Sequence, residues 1–234
     1  MPDNFNIDFH ILRSNRRSVI GRVLPDGNVE IRAPFSMTTD EINIFINRHE
    51  PKFLPVVMEY RKLNEFITEH PFGYGGEVLF MGKWTQIKTA EDNNGGYIAT
   101  FRDGAVVVQP NQSDERLRYF IGDLLSNLAI PIFERKLNYY SQLMGVRCKA
   151  WTIGNARKRH GSCDSNGKIT LAWRIIMMDE SVIEYIIVHE LAHLKHMNHA
   201  MAFKNEVSAV LPDWKERKKT HREQSLILRC GGWL

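Results

Sequence analysis

Cysteine is scarce in this sequence, with only three residues among 234. Cys148, Cys163 and Cys230 are widely spaced and include no C-x-x-C pair. This pattern excludes a disulfide framework and a cysteine-based zinc knuckle, and it is typical of proteins in a reducing compartment. We therefore interpret all three as free thiols.

Long hydrophobic runs are also lacking. No window approaches the roughly 18 uncharged apolar residues of a membrane span, and the most apolar stretch, residues 182–188, is interrupted by Glu184 and Tyr185. The residues up to Asp8 contain no cationic stretch followed by an apolar one, so a secretory signal is not predicted. Together with the reduced cysteines, these absences predict a cytoplasmic protein that does not use a membrane as partner.

A strong excess of charge of one sign is missing as well. The sequence has 31 Lys and Arg against 27 Asp and Glu, a net charge of +4. So mild an excess permits contact with nucleic acid but does not argue for it. The hydrophobic share of 43% and charged share of 25% are those of a globular protein, which excludes wholesale disorder and a coiled-coil rod.

The first half of the chain carries the signals of β-hairpins. Apolar runs flank Asp26-Gly27, a turn pair that favours a hairpin. Paired strands are predicted at residues 19–24 with 28–32, 77–81 with 84–88, and 97–102 with 105–109. A capping box from Thr38 to Glu41 predicts a helix, and a further helix is predicted at residues 53–66. We expect a β-rich N-terminal domain over residues 1–112.

The hydrophobic period becomes helical after Ser113. Apolar residues recur at helical spacing up to Leu128 and again from Phe133, and we expect Pro131 to kink or interrupt this helix. Strands are predicted at residues 147–153 and 168–176, and Ser181 is a candidate cap for a helix that follows. Residues 113–234 are therefore expected to form a second domain in an α+β protein.

One segment carries a metal-site motif, His189-Glu190-Leu191-Ala192-His193. On a helix, residues i and i+4 lie about 40° apart around the axis with Cβ atoms about 6 Å apart, so two imidazoles can bind one ion. Glu190 lies about 100° further round, where it can reach a water on that ion. This is the layout of H-E-x-x-H metal hydrolases, whereas two surface histidines beside a solvated glutamate are the alternative.

A third protein ligand is expected because catalytic zinc commonly has three ligands and a water. His199 can reach the ion only if the chain breaks after His193 and folds back, and Asn198 is the natural residue to end the helix because it tolerates the left-handed conformation. The spacing matches H-E-x-x-H-x-x-G-x-x-H, with His196 in place of the glycine. We favour His199 as the third ligand. His196 is a competing ligand, and Glu206, Glu216 and Glu223 are weaker alternatives.

The expected chemistry is hydrolysis. Zn²⁺ lowers the pKa of a bound water to about 7, and Glu190 would take the proton of that water and pass it to the leaving amine. Three imidazoles favour zinc over manganese or iron. Arg157, Arg159 and His160 are candidates for stabilising the oxyanion, although basic loop residues are more often only solvated.

The chain resembles the YgjP-like family of zinc metallopeptidases, which is related to the SprT-like and WLM proteases. The matching stretches are residues 13–17 (Arg-Ser-Asn-Arg-Arg), 26–27 (Asp-Gly), 32–34 (Arg-Ala-Pro), 161–163 (Gly-Ser-Cys), 171–174 (Leu-Ala-Trp-Arg), 189–199 and 212–217 (Pro-Asp-Trp-Lys-Glu-Arg). The resemblance implies that His189, His193 and His199 bind zinc, that Glu190 is catalytic, and that residues 113–234 form a zincin-like domain with its active-site helix against a small sheet. Where the family has Arg-Trp before Gly-Ser-Cys, this chain has Arg159-His160.

We therefore expect a zinc metallopeptidase that acts on peptide or protein substrates. The alternatives are a nucleic-acid-associated protein with a structural metal, a SprT-like protease acting on DNA-bound proteins, and hydrolysis of a non-peptide amide. The basic segment Lys215–Arg222 is expected to be an exposed helix face rather than a nucleic-acid contact.

Overall fold

A computed structural model describes residues 7–90 and 98–234. These residues form an α+β protein with five α-helices and three small sheets, so the predicted fold class is confirmed. The helices are α1 (Thr39–Thr68), α2 (Asp114–Leu143), α3 (Glu180–Ala192), α4 (Met201–Val210) and α5 (Trp214–Cys230). Within the described ranges, none of these helices has the length and apolarity needed to cross a bilayer.

The first of two compact units contains the described residues up to Glu69 together with Leu226–Gly232. Its sheet has the order β1-β3-β2, formed by β1 (Phe9–Ser14), β2 (Ile20–Val23) and β3 (Val29–Pro34). Strands β2 and β3 pair in antiparallel register around Gly27, whose φ of 83° suits the turn, so the first predicted hairpin is confirmed. Strand β1 was not predicted, and it pairs parallel to β3.

Helix α1 begins with the predicted capping box, in which the Thr38 hydroxyl accepts from the Glu41 amide at 3.2 Å. The sequence predicted two helices here, but α1 is one helix of 30 residues that contains Pro51 and Pro55. Buried side chains lie on either side of the prolines, among them Ile46 and Val57. Their packing stabilises the helix despite the lost amide donors.

The second unit contains His70–Ser225 and Trp233–Leu234. Its four-stranded sheet has the order β4-β5-β7-β6 and its three-stranded sheet the order β8-β10-β9. The strands are β4 (Glu77–Phe80), β5 (Lys83–Thr89), β6 (Ala99–Arg102), β7 (Ala105–Val108), β8 (Ala150–Gly154), β9 (Gly161–Cys163) and β10 (Lys168–Ala172). The hairpins β4–β5 and β6–β7 are confirmed, although Tyr97, where the third was predicted to begin, lies outside the described residues.

The division of the chain at residue 112 falls inside this second unit and stays a prediction about domains. The structure differs from three local predictions. Pro131 does not interrupt α2, because Ala129 and Phe133 on either side are fully buried and hold the helix. Ser181 does not cap α3, which begins at Glu180 after Asp179, without a side-chain cap. The predicted strand at 168–176 ends at Ala172 and continues as a 3-10 helix, Trp173–Met177.

Helices α2, α3 and α5 are joined by a buried ion network. The ammonium of Lys136, a residue that is only 7% exposed, donates to Glu180 at 2.6 Å and to Glu184 at 2.8 Å. Arg217 donates to the other Glu184 oxygen at 2.8 Å. Burial alone would raise the pKa of Glu184, but hydrogen bonds from Lys136 and Arg217 lower it below its ordinary value of 4.5. Glu184 is therefore the central carboxylate that holds α3 to its neighbours.

We expect Glu184→Gln to lower the free energy of unfolding at pH 7 by about 1–3 kcal/mol, because buried charges lose their partner. The pKa of Glu184 is lower in the folded chain than in the unfolded chain. Its contribution is therefore complete above about pH 4.5 and disappears as the pH falls through the folded-state pKa. Urea unfolding of both proteins between pH 7 and pH 3 measures the difference, which should shrink toward acid pH.

The matched control is Glu223→Gln, which removes the exposed Lys219–Glu223 pair at 3.9 Å. A change within about 0.5 kcal/mol is expected for it. Equal destabilisation by the two substitutions would contradict the role given to Glu184.

Candidate metal centre

Three imidazoles lie together at the end of α3. One ligating nitrogen from each of His189, His193 and His199 can be chosen so that all three atoms lie within 4.8 Å of one another. The ring centroids are 5.0 Å apart for His189 and His193, 4.9 Å for His189 and His199, and 4.8 Å for His193 and His199. The three rings thus form a nearly equilateral triangle, and the Nε2 atoms of His189 and His199 are 3.0 Å apart.

The return of the chain after α3 brings His199 to the other two residues. Helix α3 ends at Ala192, and His193 is its C-cap. The Lys195 and His196 amides still donate to the Ala192 carbonyl, at 3.1 and 3.0 Å, before the chain turns back. Lys195 anchors this turn, since its ammonium donates to the Met144 carbonyl and to Glu206, each at 2.7 Å.

Asn198 does not take part in the chain reversal in the way that the sequence predicted. Among the described residues, the non-glycine residues with positive φ are Met81, Asp103 and Asn111, so Asn198 does not adopt the left-handed conformation. Its side-chain oxygen instead accepts from the Ala200 amide at 3.2 Å, just before α4. The break after His193 is therefore made by the last turn of α3 and by the start of α4.

Phe203 supports all three imidazoles from α4. Its ring centroid lies 4.9 Å from that of His189 and 4.7 Å from those of His193 and His199, and the side chain is 4% exposed. The sequence did not identify this residue. Its only signal is its position four residues after His199 at the start of a helix, which does not by itself indicate a site.

The electrostatics keep two of the imidazoles neutral. Burial, together with the neighbouring His193 and His199, lowers the pKa of His189 to about 3. Burial also lowers the pKa of His193. The Nδ1 atom of His193 must carry a proton, because it donates to the His196 carbonyl at 3.0 Å, and this leaves Nε2 with its lone pair. Neutral rings with one nitrogen fixed as donor are the form in which histidine binds a metal.

Glu190 lies on the same helix but is buried against the three-stranded sheet. Its side chain is 6% exposed, and burial raises its pKa to about 7 against the opposing charge of Arg159. A Cβ atom added to Gly161 of β9 would lie 2.6 Å from the Glu190 Oε1 atom. A larger residue at position 161 would therefore displace the Glu190 side chain, a constraint that the sequence alone does not reveal.

The competing ligands do not join the three imidazoles. Within the described part of the chain, His189, His193 and His199 are the only group of three or more candidate side chains close enough to hold one ion. The His196 ring lies 4.0 Å from Glu206, whose carboxylate pairs with Lys195. Glu223 lies 3.9 Å from Lys219, and Glu216 is exposed at the start of α5. The donor set of three imidazoles fits a borderline-soft divalent ion.

The basic candidates for oxyanion stabilisation lie in different places. Arg159 is exposed and close enough to lower the pKa of Glu190, whereas the charge of Arg157 acts on Arg118 and Arg174. His160 precedes β9, and its Nδ1 atom lies 2.9 Å from the His221 Nε2 atom on α5.

His221 belongs to the segment predicted as an exposed helix face, and that prediction is wrong at this residue. Its ring is half-buried and lies 6.1 Å from that of Tyr185, which in turn lies 5.9 Å from the ring of His189. The remaining cations of the segment other than Arg217 are exposed, as predicted. Tyr185 precedes His189 by four residues, so the helical period was a signal for it, but nothing in the sequence indicated His221.

No curated protein matches the sequence. Two solved structures are similar to part of it. The zymogen of Pyrococcus abyssi abylysin has 28% identity and a TM-score of 0.35, with 37% of this chain and 89% of that chain covered. The zymogen of Methanocaldococcus jannaschii jannalysin has 20% identity and a TM-score of 0.37, with 39% and 95% covered.

A family model described as the YgjP-like metallopeptidase domain matches residues 17–224. Since this match spans most of the sequence, the chain belongs to the YgjP-like metallopeptidase family, which implies a divalent metal and peptide or protein substrates.

Proposed function

We propose that this protein is a zinc-dependent peptidase in which His189, His193 and His199 hold the ion and Glu190 is the general base. The observation that carries the proposal is the convergence of three imidazoles at the end of α3, the helix that also carries the buried Glu190. Two of the rings are neutral at physiological pH, and one has its nitrogen roles fixed by a backbone carbonyl. Three imidazoles favour zinc over harder ions such as manganese.

A bound zinc ion supplies an acidified water and polarises a carbonyl oxygen. Glu190 accepts the proton of the attacking water at its carboxylate and returns a proton to the leaving amine as the C–N bond breaks. The buried position of this carboxylate limits its contact with bulk water, and the absence of a side chain at Gly161 leaves the space that it occupies. Phe203 holds the three imidazole rings in place, which keeps them from reorganising between turnovers.

An extended peptide is the substrate shape that the neighbouring sheet favours. Strand β9 is an edge strand of the order β8-β10-β9 and pairs antiparallel with β10. Its first residue, Gly161, packs against Glu190. A peptide that adds to this edge by backbone hydrogen bonds would pass next to the general base. This placement supports a peptide over a small non-peptide amide.

The first test of the proposal measures the zinc content of the purified protein. We expect the purified wild-type protein to contain close to one zinc per chain. His193→Ala should reduce this content at least about tenfold, because a metal site loses a ligand from its first coordination sphere. Inductively coupled plasma mass spectrometry on proteins dialysed under identical conditions measures both values.

His196→Ala is the matched control for His193→Ala. The His196 carbonyl, not its ring, accepts from His193, so this variant should keep its zinc. Equal zinc loss in both variants, or equal retention, would argue against the assigned ligands.

The second test concerns Glu190. Glu190→Gln should retain zinc but lower the rate of peptide cleavage by about 10²–10⁴-fold, because the amide cannot accept the proton of the water. Cleavage of a mixed peptide library, followed by mass spectrometry, measures the rate. Glu216→Gln, an exposed change on α5, should cleave at the wild-type rate. Zinc-loaded wild-type protein that cleaves no peptide, or an undiminished rate in Glu190→Gln, would contradict the proposed function.

A further inference from the structure

A cavity of about 220 Å³ opens directly beside the imidazole triangle. The rings of His189 and His199 form part of its wall. Ligand pockets for whole small molecules are larger, about 300–1,000 Å³, so this cavity has room for a single side chain. Its contact with two of the imidazoles places that side chain next to the bond that would be cleaved.

The rest of the wall is mainly apolar. Tyr185 of α3, Phe203 and Val207 of α4, and Trp214 of α5 line it. Phe203 and Val207 are buried, at 4% and 2% exposure, and Trp214 is half-buried. A charged side chain inserted here would lose its hydration without a carboxylate in the wall to receive it, whereas an aliphatic side chain would gain from leaving water.

Two lysines complete the lining. Lys204 and Lys218 are exposed, and in the described part of the chain no ion pair joins either ammonium to a carboxylate. Two other lysines do have acidic partners: Lys195 pairs with Glu206 at 2.7 Å, and Lys219 lies 3.9 Å from Glu223.

We propose that this cavity selects the substrate: it takes an apolar side chain adjacent to the scissile bond, while Lys204 and Lys218 bind a carboxylate on a following residue. This proposal rests on the proposed peptidase function. The carboxylate is either an acidic side chain or the free C-terminus of a short peptide, since both present the same group to an ammonium. The predicted substrates are therefore peptides in which an apolar residue is followed closely by negative charge.

Binding is measured separately from cleavage, on the zinc-loaded Glu190→Gln protein by calorimetry with short peptides. One series varies the apolar residue between leucine, serine and lysine. A second series compares aspartate with asparagine, and a third compares a free with an amidated C-terminus. We expect leucine to bind most tightly. The second and third series identify which carboxylate is used, through an affinity loss of about tenfold when it is neutralised.

Charge reversal then tests the two lysines. Lys204→Glu combined with Lys218→Glu, in the Glu190→Gln background, should remove the preference for a carboxylate over its neutral counterpart. Lys219→Glu is the matched control, because Lys219 is the exposed residue next to Lys218 on α5 but does not line the cavity, and this variant should keep the preference. A carboxylate preference that survives the double reversal would overturn the assignment of Lys204 and Lys218.

Trp214→Ala tests the apolar wall independently. Removing the indole enlarges the cavity, so the preference should move from leucine toward larger aromatic side chains while the zinc content stays the same. An unchanged ranking of side chains would overturn the assignment of this cavity as the substrate pocket.

Failure of the pocket proposal and failure of the peptidase proposal give different results. Cleavage without any leucine or carboxylate preference contradicts the pocket alone, whereas selective binding by a zinc-loaded wild-type protein that cleaves nothing contradicts the peptidase alone.

Discussion

The reversal of the chain between His193 and His199 is the constraint on which the site depends. Two imidazoles on one helix are set by the spacing of the residues, but the third reaches them only because α3 ends at Ala192 and the chain turns back. Lys195 secures that turn through the Met144 carbonyl and Glu206. Phe203 then fills the space behind the three rings. The triangle of imidazoles is thus held by contacts from α4 and from Met144, the residue that follows α2.

The same helix also fixes the buried carboxylate, so the packing of α3 decides both parts of the site. Glu184 ties α3 to α2 and α5 through Lys136 and Arg217, and this fixes the helix position. Gly161 of β9 sets the space available to Glu190. The apolar cavity beside the triangle is built from α3, α4 and α5, so the proposed selection of substrate depends on the same packing as the proposed chemistry.

Local patterns predicted a good part of this protein, and tertiary contacts account for what they missed. The Asp26-Gly27 hairpin and the helix of His189 follow from turn chemistry and hydrophobic period, which act within a few residues. The passage of α1 and α2 through prolines depends on burial by distant segments, which overrides local propensity. Phe203, Gly161 and His221 reach the site from other elements, and no short-range signal marks them.

The central claim is that three imidazoles and no thiolate bind the ion, with one position left for water. X-ray absorption at the zinc edge of the purified wild-type protein tests it most directly. The account predicts a first shell of nitrogen and oxygen atoms only, with three imidazole ligands at about 2.0–2.1 Å. A sulfur ligand at about 2.3 Å, or a shell with fewer than three imidazoles, would contradict it.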